Sequence, residues 1–574
     1  MLTRIIRNYS RPYSRSVILV FAFTIAQTIG SLVLPSLTAD IINKGVATGN
    51  TAEVWNIGKQ MAVLTVVMGL IAIATTYVAA RVSTAFGRDL RGDVFKQVMR
   101  FSTQEMDKFG TASLITRNTN DIQQVQMLMT VGLSIMLSAP ITLVGGVIMA
   151  IRHNSDLSVL IAVAVPLMVI VIALTMRIAI PLFRLVQKRI DRINAVFREQ
   201  ITGTRVVRAF VREEQEAARF AVANEELRTT QLRINHIMAF TMPSLGFILN
   251  LATVGVIWFG GHLISDGKML IGDLTAFISY LMQILISVMM ATMTLVMVPR
   301  ASASAERIAE VLSLDPAIVD STTGIEVQGD GSVDFRNVTF TYPGAELPVL
   351  QNLTFHVPAG TTTAVVGSTG SGKTTLINLI VRFYDVTQGQ VLVGGVDVRE
   401  QKLGSLWGQI GLVPQRSYLF KGSIRDNVKF GAPDATDDDV REALRLAQAL
   451  KFVEEIDGGL DSIIEQGGSN LSGGQRQRLA IARALASKPS VFVFDDSFSA
   501  LDATTDARLR HSLNTDAAGV TKIIVAQRVS SIMHADQIIV LDEGIIAGIG
   551  THDDLLKTCD AYKEIVGSQL ELAS

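Results

Sequence analysis

Two stretches of this sequence carry residue types and spacings suited to chemistry. GSTGSGKTT, residues 367–375, fits the pattern G-x-x-x-x-G-K-[ST]. TTTAVVG before it has a strand composition, and TLINLIVRFY after it has a helical one. A strand, a glycine-rich loop and a helix in that order aim backbone amides at a phosphate. Gly367, Gly370 and Gly372 let the backbone come close, and Ser368, Thr369, Ser371 and Thr375 complete the cradle. Lys373 is spaced to reach the β- and γ-phosphates of a nucleotide and Thr374 to ligate Mg²⁺. The second stretch is VFVFDDSFSALD, residues 491–502. Its apolar run suits a central parallel strand. Asp495 at the end of that run is placed to bind Mg²⁺, directly or through water. Whether Asp496 beside it also works depends on its reach.

Between them lies NLSGGQRQRLAIARAL, residues 470–485. Asn470 or Ser472 can cap a helix that begins near the glycines, and its first amides would form a second anion site. Either this is an ordinary glycine-rich helix start, or it serves a phosphate held by another chain.

The elements that must position these residues fall in two halves. The chain has 574 residues, too many for one core. It is 49% hydrophobic and only 18% charged, against about 25% charged in soluble proteins, which points to a membrane protein. A net charge of −1 gives no basic surface for nucleic acid. The single cysteine, Cys559, excludes an internal disulfide and reads as an inert thiol. The long apolar runs lie before residue 300, at about 17–39, 57–80, 129–151, 157–180, 239–263 and 273–298. Each is long enough to cross a bilayer. Pro35, Pro140, Pro166 and Pro243 fall inside four of them, which membrane helices tolerate. Arg4, Arg7, Arg11 and Arg15 precede the first span, which places the N-terminus inside. The first span is too long for a cleaved signal peptide. Six spans return the chain to the cytoplasm. The inner stretches, about 81–128 and 181–238, are long and charged, but apolar residues such as Val94, Val98 and Phe101 recur at helical spacing. They read as the spanning helices continuing into the cytoplasm.

A P-loop, then LSGGQ, then an apolar strand ending in Asp resembles the nucleotide-binding domain of ATP-binding cassette (ABC) transporters. Other family markers fall in order. Tyr342 in FTYPG matches the aromatic residue that stacks on adenine, and Gln415 in LVPQ matches the Q-loop glutamine that contacts Mg²⁺ and the attacking water. IIEQGG, around Glu465 and Gly467, matches the exporters' X-loop, and SALD, residues 499–502, the D-loop. FGTASLITRNTNDI and EQITGTRVVRAFVREEQE are similar to the two intracellular loops of exporter half-transporters. The resemblance implies an α-helical six-span transmembrane domain of exporter type over 1–310, a linker over 311–330, and an α/β P-loop ATPase domain of ABC type over 331–574. It implies ATP and Mg²⁺ as ligands, and two halves that pair. Each ATP then lies between the P-loop of one half and the LSGGQ of the other, with Ser472, Gly473, Gly474 and Gln475 of this chain completing the partner's site.

Two positions depart from the family. Where it has a glutamate after the Mg²⁺ aspartate, this chain has Asp496, and where it has a switch histidine, this chain has Gln527. Aspartate is one methylene shorter, and an ångström of misplacement can cost about 10²-fold in rate. A positioned general base is worth about 10²–10⁴-fold. Gln527 can hydrogen-bond a phosphate but can neither carry charge nor relay a proton. Nucleotide binding is expected to survive these changes and hydrolysis to suffer, as in the degenerate-site subunit of bacterial heterodimeric multidrug or lipid exporters. The partner is then a second ABC half-transporter, the cargo an amphipathic drug, lipid or peptide, and the location the bacterial inner membrane. A homodimeric exporter or lipid flippase, and an importer of a metal chelate on the same fold, are the alternatives. An anchored, non-transporting ATPase would need only one span. A methionine-rich run at 282–297 suits either a pliable cavity or a packing surface.

Overall fold

The computed structural model describes residues 1–321, 323–526 and 528–571, without the side chains of 293–296, 530, 570 and 571. Gln527 lies outside the described residues. The chain divides into two compact units. One comprises 1–99 with 112–314, and the other 100–111 with 315–574.

In the first unit the six apolar runs lie one each within six long helices: Leu2–Val46, Thr51–Val98, Thr111–His153, Ser158–Thr202, Glu213–Ser265 and Ile271–Leu312. The shortest has 42 residues. At 1.5 Å per residue that is roughly 60 Å, about twice the hydrocarbon core of a bilayer. The charged segments 81–98, 181–202 and 213–238 are therefore continuations of spanning helices, as their apolar spacing indicates. Pro35, Pro140, Pro166 and Pro243 all sit inside helices. Val63, Val66, Leu70 and Ile73 of the second helix are more than 40% exposed, as a lipid-facing stripe requires.

Polar contacts pin the apolar helices to one another. Fully buried Tyr280 donates its hydroxyl to the carbonyl of Leu32 at 2.8 Å and lies 2.7 Å from Ser36 Oγ. His153 bridges Ser36, at 3.1 Å from Nε2, and Asp273, at 3.3 Å from Nδ1. These five residues join the first, third and sixth helices. Asp121, also buried, accepts hydrogen bonds from Ser304 Oγ at 2.9 Å and Arg307 Nε at 2.7 Å.

The second unit holds three sheets. β1 (Val333–Phe340), β2 (Leu350–Val357), β4 (Gln388–Val393) and β5 (Val396–Asp397) form one sheet in the order β2-β1-β4-β5. The second combines β3 (Thr362–Gly367), β6 (Ile410–Val413), β9 (Val491–Asp495), β10 (Thr521–Val525), β11 (Gln537–Asp542) and β12 (Ile545–Gly550), in the order β12-β11-β3-β10-β9-β6. β7 (Gly422–Ser423) and β8 (Ile463–Ile464) form a small third sheet. Only β12 pairs antiparallel in the six-stranded sheet. All five residues of β9 are buried, which is why VFVF reads as an unbroken apolar run, and those of β10 are buried too, Thr521 and Lys522 included.

The segment 100–111, which precedes the third span in sequence, belongs to this second unit, so the units do not follow a single boundary near residue 310. Its helix, Thr103–Phe109, is closed by a capping box between Ser102 and Glu105. Glu105 also accepts the Ala317 amide at 3.1 Å, and Asp107 accepts the Tyr384 hydroxyl at 3.0 Å.

Candidate nucleotide site

Parallel strands β3, β9, β10 and β11 end side by side, with Gly367 opposite Leu541 and Asp495 opposite Val525. Sites in α/β sheets form at such carboxyl ends. A cavity of about 760 Å³ opens there. It is lined by Gly367, Ser368, Thr369, Gly370, Gly372, Lys373, Thr374, Thr375, Gln415, Asp495 and Asp496, so most of the residues singled out in the sequence meet in one place.

The loop's shape depends on its glycines. Gly370 and Gly372 have φ of +89° and +98°, in the left-handed region where a side chain is strained. A Cβ on Gly372 would lie 2.4 Å from Leu350 Cδ2, and one on Gly367 2.1 Å from the Leu541 carbonyl oxygen. Around Gly370 there is open space. Gly372 caps the helix Lys373–Ile380, whose first amides face the cavity.

Lys373 folds back on the loop, donating to the carbonyls of Gly367 at 2.9 Å and Ser368 at 2.7 Å and to Ser371 Oγ at 3.3 Å. A half-buried ammonium needs such acceptors. Burial lowers its pKa from the ordinary lysine value, opposed by the nearby Asp495 and Asp496 carboxylates. Asp495 is 8% exposed. Burial raises its pKa, opposed first by the hydrogen bond from Thr374 Oγ1, at 3.5 Å. A hydroxyl and a buried carboxylate converging beside a phosphate loop are the hard oxygen donors that Mg²⁺ takes, so the residues present fit that ion.

Asp496 has φ of +47°. Its N–H donates to the Val525 carbonyl at 2.9 Å, which turns the chain sharply at the end of β9. Aspartate tolerates the left-handed region better than most residues because its short polar side chain can bond locally. Its Oδ2 accepts the Gln415 side-chain amide at 3.3 Å.

Other expected residues stand apart from this cavity. Tyr342 is not among its lining residues; its hydroxyl lies 2.9 Å from Thr375 Oγ1 and its ring packs edge-on against Phe340 and Tyr384. Ser371, within the loop, is buried. Ser472, Gly473, Gly474 and Gln475 open the helix Gly473–Ala486 elsewhere in the unit. Of the two possible caps it is Ser472 that closes this helix, in a capping box with Gln475. Asn470 instead bonds to Glu465 and Ile463. The motifs did not point to the C-terminal helix Asp560–Glu571, yet Glu564, Ser568 and Gln569 line the cavity too. Their only sequence signal is helical spacing, which marks a face without naming what it faces.

Comparison with known proteins decides the family. Residues 17–289 match the ABC transporter transmembrane region and residues 350–499 the ABC transporter family. An uncharacterized ABC transporter ATP-binding protein of Mycobacterium tuberculosis is 46% identical over 575 residues, which cover 99% of this chain and 98% of that protein. This chain belongs to the ABC transporter family. A further ABC transporter relative, the uncharacterized ATP-binding protein YfiB of Bacillus subtilis, is 34% identical over 98% of both chains. A multidrug efflux ATP-binding/permease protein of Mycobacterium bovis is 32% identical over 99% of this chain but only 47% of its own length. The structure of a bacterial Atm1-family ABC exporter with ATP bound superposes with a TM-score of 0.80 over 98% of both chains at 24% identity, a likeness of fold. The chain is thus an ABC transporter of exporter-type architecture, a multi-pass membrane protein whose cytoplasmic ATPase domain drives transport.

Proposed function

We propose that this chain is one half of a heterodimeric ABC exporter whose own nucleotide site binds MgATP but turns it over slowly, and whose LSGGQ completes the partner's hydrolytic site. The observation that carries the reading is an intact phosphate-loop sequence in a chain that has Asp496 and Gln527 at the two hydrolytic positions of the family. Lys373 and the loop amides bind the phosphates, Tyr342 the adenine, and Thr374, Asp495 and Gln415 would hold Mg²⁺. That ion would neutralise charge on the transferring phosphoryl group. Gln415 reaches Asp496, and the shorter acid leaves the water poorly oriented. Ser472, Gly473, Gly474 and Gln475 lie outside this chain's cavity, which supports their service in trans. The Mycobacterium bovis relative spans about twice this chain's length, consistent with two halves joined in one polypeptide.

The cargo is an amphipathic drug, lipid or peptide, moved out of the cytoplasm or inner leaflet. A cavity of about 300 Å³ within the membrane unit supports that chemistry. Met176, Met238, Met242 and Met289 line it with Phe183, and its few polar groups include Thr175 and Thr241, 3.1 Å apart. Methionine walls adapt to apolar ligands of varied shape.

The test is to purify the full-length chain alone and measure MgATP binding and turnover. Tight binding with weak turnover is expected. Robust turnover by a homodimer overturns the reading.

A further inference from the structure

The first long helix opens with an amphipathic segment, Leu2–Ser10, which a short 3₁₀ turn over Arg11–Tyr13 joins to the spanning part. The two faces of the segment differ in kind. Leu2, Ile5, Ile6 and Tyr9 recur at helical spacing and are buried or half-buried. Arg4, Arg7 and Arg11, three and four residues apart, are exposed, as is Arg15 further on. The apolar face holds the segment against the second long helix. The Tyr9 ring lies edge-on to buried Phe86, with centroids 6.1 Å apart, and Ile6 packs against the cluster of Val20, Ala79 and Val82.

That packing sets the depth of the segment. The second apolar run ends near residue 80, and Phe86 lies about six residues, or roughly 9 Å of helix, beyond it. The headgroup layer is roughly 5–8 Å thick, so the segment lies at its cytoplasmic edge. An even number of spans puts it on the same side as the ATPase domain, at the inner leaflet. The acids that could neutralise the arginines are engaged elsewhere. Asp93 accepts the Tyr9 hydroxyl at 2.9 Å, and Asp89 accepts the Tyr13 hydroxyl at 2.5 Å. Asp89 also pairs with Arg88 at 2.7 Å, and Asp93 with Lys96 at 3.8 Å. Among the described residues, the guanidinium groups of Arg4, Arg7, Arg11 and Arg15 have no hydrogen-bond or ion-pair partner.

We propose that the face of Arg4, Arg7 and Arg11, extended by Arg15, is a binding surface for anionic phospholipid of the inner leaflet. The occupant follows from charge and place. Four basic residues directly cytoplasmic of a span attract anionic lipid, each contributing about five-fold near the membrane surface. A guanidinium fork also pairs two N–H groups with the oxygens of one phosphate. The Tyr9 and Tyr13 bonds fix which way the segment turns, so lipid phosphates meet an ordered row of forks instead of a loose tail. The cargo cavity between the spanning helices is lined by no charged residue, so a lipid held by this face is a partner of the transporter and not its load.

The experiment counts lipids bound to the full-length chain by native mass spectrometry in detergent, with phosphatidylglycerol and phosphatidylcholine of the same acyl chains. The wild-type chain is expected to hold phosphatidylglycerol at least about ten-fold more tightly. The triple variant Arg4→Gln, Arg7→Gln and Arg11→Gln is expected to lose most of that preference. The control variant Arg198→Gln, Arg205→Gln and Arg208→Gln removes the same charge from exposed arginines far from the membrane. Arg198 lies about 18 residues, or roughly 27 Å of helix, beyond the fourth apolar run, against a Debye length of about 8 Å. The control is therefore expected to keep the wild-type preference. Equal affinity of the wild-type chain for both lipids overturns the proposal. An unchanged preference in the first variant overturns it too, since the lipid would then sit on other basic residues. An equal loss in the control reduces the effect to bulk charge and overturns it likewise. The milder Arg4→Gln with Arg7→Gln is expected to show an intermediate loss, and no loss there overturns the proposal where the triple variant does not fold.

Discussion

Gln415 and Asp496 touch, the side-chain amide of one donating to the carboxylate of the other across 3.3 Å. The two groups that the family resemblance assigns to the attacking water are thus already paired, on a residue whose backbone is left-handed. Asp496→Glu should restore reach at the cost of a longer side chain in a strained conformation, so only a partial gain is expected. Asp496→Glu with Gln527→His should gain more than the two singles together if both act on one transition state. Single-turnover hydrolysis at this site, with the partner's hydrolytic site disabled, measures both.

Ser472→Arg should abolish ATP turnover by the assembled pair while leaving nucleotide bound at this chain's own phosphate loop. The serine caps its helix through Gln475, so removing it exposes the first-turn amides and costs about 1 kcal/mol of local stability. The arginine adds bulk where the partner's phosphates would dock. Turnover by the pair and nucleotide occupancy of each half, measured separately, check this. Persistent turnover would place the hydrolytic site elsewhere.

The two left-handed loop glycines should respond differently to alanine. Gly372→Ala meets both backbone strain and Leu350, whereas Gly370→Ala meets strain alone. The strain is about 1–2 kcal/mol in each. Thermal melting without nucleotide should therefore fall further for Gly372→Ala, while both variants weaken MgATP binding because the strained backbone shifts the amides of the phosphate loop.

Burial raises the pKa of Asp495 above its ordinary value, and binding Mg²⁺ requires the carboxylate. As pH falls, the Mg²⁺-dependent part of ATP affinity should be lost before an ordinary aspartate would protonate. The sign for stability without nucleotide is opposite. A folded-state pKa above the unfolded one contributes stability present at low pH and lost as pH rises through the folded value. Asp495→Asn should flatten both dependences, in ATP titrations with and without Mg²⁺ and in melting curves across acidic pH.

The strand, loop and helix around residues 367–375 were legible because each glycine and the lysine follow from what a phosphate demands locally. The six spans were legible because a bilayer fixes length and polarity. Two features were not. Asp496 looks like an acid one methylene short, but its left-handed backbone depends on the N–H bond to Val525 on a neighbouring strand. Gln569 sits in an unremarkable helix, and its bond to Val529 spans 40 residues. Sequence spacing records periodicity along one element and carries no record of which element lies opposite.

The helix Thr103–Phe109 bears on how this protein can be taken apart. Its Glu105 and Asp107 complete the hydrogen bonding of Ala317 and Tyr384, and its segment belongs to the ATPase unit although more than 200 residues separate it from the rest of that unit. No single cut frees the two units intact. A soluble fragment begun at residue 315 or 331 leaves behind a piece of its own body and bares the Tyr384 phenol. Domain exchange between related half-transporters meets the same limit, because the recipient must bring a matching short helix from the donor's membrane half. The inheritable module is discontinuous, and a recombination event that respects it needs three crossovers where the linear order suggests one.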